Sequence, residues 1–202
     1  VVALTTKQAS ELSSTQLAAM STAQVNALET EDLAKISTAA ISALSSAQAA
    51  SLTTDQVVAL TTGQAAQISS AAVAGLNSAQ VAALETSDLV KLSTDAIQAI
   101  STAALTGLSA ATQVGKLTTA QVAALTTDQV NALSTAQVAA LSTEQVSKLS
   151  SDQLAVMTTA QIASIETADV AALTTSALSA ITTTQAAKLT TAQIVGLTTG
   201  QA

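Results

Sequence analysis

An aliphatic residue returns at every eighth position from Leu4: Leu12, Met20, Leu28, Ile36, Leu44, Leu52 and Leu60 follow, and the series runs to Leu108. One residue is then inserted. The register resumes at Leu117 and holds through Leu197, giving 24 complete units, one of them nine residues long, and a partial one. A strict short period is the signature of a stacked array, and it outranks any local reading.

With the aliphatic as position 1, position 2 is Ser or Thr, except for Glu29, Asn77, Glu85 and Glu166. Position 3 is Ser or Thr in nearly every octad. Position 5 is Gln in most, as at Gln8, Gln16, Gln24, Gln121 and Gln129. Position 6 is aliphatic, as at Val25, Val57, Val81, Leu154 and Ile162, and positions 7 and 8 favour small residues. Ser or Thr followed three residues later by Gln is a capping box. The hydroxyl accepts from the N3 amide, and the Gln reaches back to the cap amide. Positions 1 and 6 are then N′ and N4, the two halves of a hydrophobic staple. The pattern predicts one short helix per octad, running from position 3 to position 8. The next Ser or Thr stops it and caps its successor.

One continuous helix is excluded by the period. Eight residues at about 100° each leave roughly 80° of drift per octad, so the Leu ladder would wind around every side and bury nothing. A β-solenoid is the alternative, because eight is even and Thr and Val suit strands. Against it, the octads lack the Gly, Asn and Pro that β corners demand. The expected fold class is therefore all-α: a solenoid, or superhelix, of very short capped helices. It is expected as a single array over residues 1–202, with a one-residue slip within 108–116. Helices this short are unstable alone. Their stability must come from stacking, with positions 1 and 6 forming an apolar spine. The number of octads per superhelical turn does not follow from the period.

Composition narrows the function. Phe, Trp, Tyr, Cys, Pro and His are absent, and the basic residues are six Lys, with no Arg. The net charge is −7. That excludes the clustered basic residues and aromatic platforms of a nucleic-acid binder, and it is the wrong sign for an anionic membrane surface. The longest apolar runs fall far short of the roughly 18 residues of a membrane span, so no membrane insertion is expected. No signal peptide is visible. The chain starts in repeat phase at Val1 and stops within an octad at Ala202, as a segment of a longer repeat protein would. No catalytic residue is expected: without His or Cys there is no ready base or activated nucleophile, and no Gly-rich phosphate loop is present. No cofactor is expected either. The six glycines, among them Gly63, Gly75, Gly107 and Gly115, form no evident motif.

Three octads depart from the pattern in the same way. Glu29 and Asp32, Glu85 and Asp88, and Glu166 and Asp169 replace the cap hydroxyl and the Gln. Each is followed by an octad with Ala at position 5, namely Ala40, Ala96 and Ala177. Paired carboxylates suit a hard cation such as calcium. Two are too few ligands for a dedicated site, so the expectation is no metal, with the acids complementing helix dipoles. Lys35, Lys91, Lys116, Lys148 and Lys188 fall at position 8. The spacings Asp32 to Lys35, Asp88 to Lys91 and Glu144 to Lys148 read as surface pairs. The nine residues Leu108–Lys116 that carry the slip read as a bulge or as a bend in a rod.

Octads such as the one from Leu117 (Leu-Thr-Thr-Ala-Gln-Val-Ala-Ala) and the one from Leu133 (Leu-Ser-Thr-Ala-Gln-Val-Ala-Ala) resemble the short repeat arrays of very large bacterial secreted or cell-surface proteins, often regarded as adhesin-like. The resemblance covers the whole chain, implies export and a structural role, and transfers no functional residues. Together with the period it predicts an extracellular filament subunit, or the rod of a surface protein, whose partner is itself, end to end or laterally. The alternative is an adhesin-type module using the exposed Ser/Thr face on carbohydrate, protein or ice. Binding solenoids usually carry aromatic anchors, which this chain lacks. The hydroxyl rows could also carry O-linked sugars.

Overall fold

The computed structural model describes residues 4–201. Among them lie 23 α-helices of four to six residues and no strand. The all-α expectation holds, and the β-solenoid is set aside. Contacts gather the chain into two units, Val1–Leu108 and Ser109–Ala202, which divide at the slip. Each is a solenoid of short helices.

The helices start where the sequence places them. Where the cap of an α-helix is Ser or Thr it is extended, as at Thr53 (φ −74°, ψ 161°), and its hydroxyl accepts from the N3 amide. Helix Thr54–Val58 then closes with Val57 N–H donating to Thr53 O at 3.0 Å, and Leu60 N–H donates to Val57 O at 3.3 Å. Many helices end at position 6, before the expected position 8. Some consist only of the turn that the capping box nucleates, such as Thr62–Ala65. Position 1 is extended in turn, as at Leu133 (φ −60°, ψ 141°), so two extended residues redirect the chain between helices. No described residue has a positive φ. The path therefore turns at every octad without a left-handed corner, and Pro and corner Gly are not needed.

In the first unit, helix Ser46–Ala50 packs on Ser70–Val73, which packs on Thr94–Ala99. In the second, Thr127–Ala132 packs on Ser151–Val156, and that on Thr175–Leu178. Each helix thus meets the one three octads further on. Hydrogen bonds between coils join residues 25, 28 and 31 apart. Within each unit, one turn of the superhelix therefore takes about three and a half octads. Position 6 forms the innermost layer: Leu17, Val25, Leu33, Val57 and Leu89 are wholly buried. Position 1 forms the layer around it, as at Leu44, Leu76, Leu125 and Leu141, and is nearly as well covered. This is the expected spine. Its stabilisation comes from apolar area, since each buried aliphatic side chain is worth about 1.5–3 kcal/mol relative to exposure.

Candidate functional site

The feature that recurs through both units is the side chain of Gln at position 5. Its carboxamide faces two ways. In the octad from Leu44, Gln48 Oε1 accepts from Ser45 N at 2.9 Å, while Gln48 N–H donates to Ser45 Oγ at 3.2 Å. That is the capping box read from the sequence. The amide nitrogen does something further. Gln48 Nε2 donates to Leu17 O at 2.9 Å and to Met20 O at 2.7 Å, in the coil before. These are the carbonyls of positions 6 and 1, at the junction of two octads. The second has finished its helix and has no successor turn to donate to it.

The same pair of bonds recurs at a constant separation. Gln56 donates to Val25 O (3.0 Å) and Leu28 O (2.8 Å), Gln64 to Leu33 O and Ile36 O (both 2.8 Å), and Gln80 to Ala49 O (3.0 Å) and Leu52 O (2.7 Å). In the second unit Gln153, Gln161, Gln185 and Gln193 repeat it, with the position 1 carbonyl always near 2.7 Å. These Gln are buried, to 1–3% exposure. Sequence reasoning assigned Gln to the cap alone. Its burial was foreseeable only from the carbonyls that a short helix leaves unpaired, once some donor was required for them. Glu cannot substitute: it keeps the oxygen for the cap but turns an acceptor and a charge toward two acceptors.

In the acidic octads each Glu is the cap of its helix and each Asp stands in the first turn. Glu29, Glu85 and Glu166 are exposed, and none makes a side-chain hydrogen bond to its helix. Asp32, Asp88 and Asp169 are buried at 5%, 1% and 4% exposure, because position 5 points between coils whatever occupies it. The structure thus parts each Glu from its Asp, and among the described residues no group of three acids, His or Cys is placed to hold a metal ion. Asp32 and Asp88 are also not surface partners for Lys35 and Lys91, since only the lysines are exposed. Asp169 finds a donor: Thr143 Oγ1, 26 residues earlier, donates to its Oδ1 at 2.5 Å. Asp88 Oδ2 has no hydrogen-bond partner among the described residues.

Where position 5 is Ala, position 6 carries bulk beside it, as in Ala40-Ile41, Ala96-Ile97 and Ala104-Leu105, all buried. Three glycines do share a role that inspection of the sequence missed. Gly75, Gly107 and Gly196 all stand at position 8, against position 3 of the octad three earlier. A Cβ on Gly75 would lie 2.1 Å from Ser46 O, and one on Gly107 2.4 Å from Ser78 O. At the same place Ser51 Oγ donates to Thr22 O at 3.1 Å.

The slip is absorbed locally. Val114 N–H donates to Ser109 O and Gly115 N–H to Ala110 O, both at 2.9 Å and five residues back, and a 3₁₀ turn Val114–Lys116 follows. Gln113 Oε1 still accepts from Ser109 N, at 2.8 Å, and Val114 is still wholly buried. The extra residue lies between cap and Gln, so both functional positions survive it. No helix among the described residues is long and apolar enough to cross a membrane.

A family model described as the ALTTAQ repeat matches the chain at residues 25–62, 81–119, 110–135, 135–164 and 162–199. A search among curated proteins found no match.

Proposed function

The chain belongs to the ALTTAQ repeat family, and from that premise we propose that it is a structural element, the rod of an extracellular filament or the stalk of a large bacterial surface protein. The observation that carries this reading is the Gln ladder. An octad of the common pattern brings its own cap, its own apolar pair and a donor for carbonyls at a fixed distance behind it. Such a lattice extends by repetition, with each repeat held by its neighbours. The extracellular setting rests on the resemblance to secreted and surface arrays, and the absence of Cys is compatible with it.

Self-association is the mode of assembly that the repetition favours: octads of one pattern present one another with the same caps, donors and carbonyls, so coils of two copies can pack as coils of one chain do.

Electron microscopy of the isolated protein tests the reading. Filaments of constant width are the expected result. Particles that never associate at any concentration overturn self-assembly and leave the stalk.

A further inference from the structure

The geometry points to a monovalent cation site at Asp88, in which sodium or potassium bridges the buried carboxylate to the main-chain carbonyls of the coil before. The argument starts from the cradle that every interior Gln occupies. Gln80, one octad earlier, places its Nε2 at 3.0 Å from Ala49 O and 2.7 Å from Leu52 O. The same separations, 31 and 28 residues, carry Asp88 to Val57 and Leu60 (88 − 31 = 57; 88 − 28 = 60). Helix Thr86–Leu89 packs on helix Thr62–Ala65, which begins just after Leu60 and keeps that register. Val57 O already accepts from Leu60 N–H, while Leu60 O accepts no main-chain donor among the described residues.

Asp is one methylene shorter than Gln and carries no donor. Position 88 therefore sets a carboxylate oxygen facing carbonyl oxygens across a gap. Asp88 is 1% exposed, and its Oδ2 has no hydrogen-bond partner among the described residues. Among the described residues Ser87 Oγ donates to its Oδ1, at a long 3.5 Å. A buried charge without a counter-charge is strongly unfavourable. Lys91 does not supply one, since it is exposed. A small cation answers every element of this arrangement. It neutralises the single carboxylate, and carbonyl dipoles replace its hydration shell as they do in cation-selective filters. One carboxylate balances one positive charge, which favours a monovalent ion over calcium with its larger demand for oxygen ligands. The site is formed by carbonyls of the preceding coil and one acid, not by helix amides.

Thermal unfolding in NaCl, KCl and choline chloride at equal ionic strength tests the site, paired with an anomalous difference map from crystals soaked in thallium(I) acetate. Asp88→Gln, which installs the side chain of the neighbouring octads, is the reference variant and is expected to fold. The expected result is a higher Tm in NaCl or KCl than in choline chloride, a smaller difference in Asp88→Gln, and a thallium peak between Asp88 and Leu60 O that the variant loses. A Tm indifferent to the identity of the cation overturns the site. So does a difference that Asp88→Gln leaves unchanged, or a map with no peak at that position.

Discussion

Replacing Gln161 separates the two tasks of the ladder side chain. Gln161 is 2% exposed. Its Oε1 accepts from Thr158 N at 2.6 Å, and its Nε2 donates to Val130 O at 2.9 Å and Leu133 O at 2.7 Å. Gln161→Met keeps length and volume but loses all three bonds. At about 1 kcal/mol net per bond, the cost is about 3 kcal/mol. Gln161→Glu keeps the cap bond and turns a charged oxygen against two carbonyls, in a site where an uncompensated charge costs about 3–5 kcal/mol. Glu is therefore expected to be at least as damaging as Met at neutral pH, although it is the closer isostere and preserves the capping box. Burial raises the carboxyl pKa above its unfolded value. The penalty is therefore full at high pH and recedes as pH falls through the raised pKa, where the protonated acid donates again. Urea titrations followed by circular dichroism at 222 nm, at neutral pH and at mildly acidic pH, read both quantities. A Gln161→Glu variant as stable as the parent at neutral pH would refute the ladder as a structural element. A loss confined to Gln161→Met would show that only the cap matters.

Other expectations follow from the same contacts. Gly75→Ala drives a methyl group into Ser46 O and should cost about 1–3 kcal/mol, whereas Gly63→Ala, whose nearest neighbour lies at 3.6 Å, should be neutral or stabilise by up to about 1 kcal/mol; paired denaturation midpoints check the contrast. Ser134→Ala removes the hydroxyl that accepts from Gln137 N at 3.1 Å and should cost about 1 kcal/mol by the same assay. Leu154→Ala, at a wholly buried position 6, should cost about 2–5 kcal/mol. A loss below 1 kcal/mol there would place the core elsewhere.

The local half of this structure is written in the sequence. Capping box and staple act across three to five residues, so the start of each helix, the short elements and the apolar pair at positions 1 and 6 could all be read from one octad. The tertiary structure decided what lies between coils. The turn of about 28 residues is not a multiple of eight, so each octad sits over a junction between two others, and nothing in the period announces that half-step. Only that offset brings position 5 over unpaired carbonyls, which is why Gln proved to be buried and twice employed when its role at the cap had seemed sufficient. The same offset buries Asp32, Asp88 and Asp169 while leaving Glu29, Glu85 and Glu166 in water, although in the sequence each pair reads as one acidic patch. It also sets Gly75 and Gly107 against a carbonyl. Interactions within an octad leave a trace in the spacing of residue types. Those between coils depend on how the octads are rotated about the superhelix axis, and that angle is set by packing.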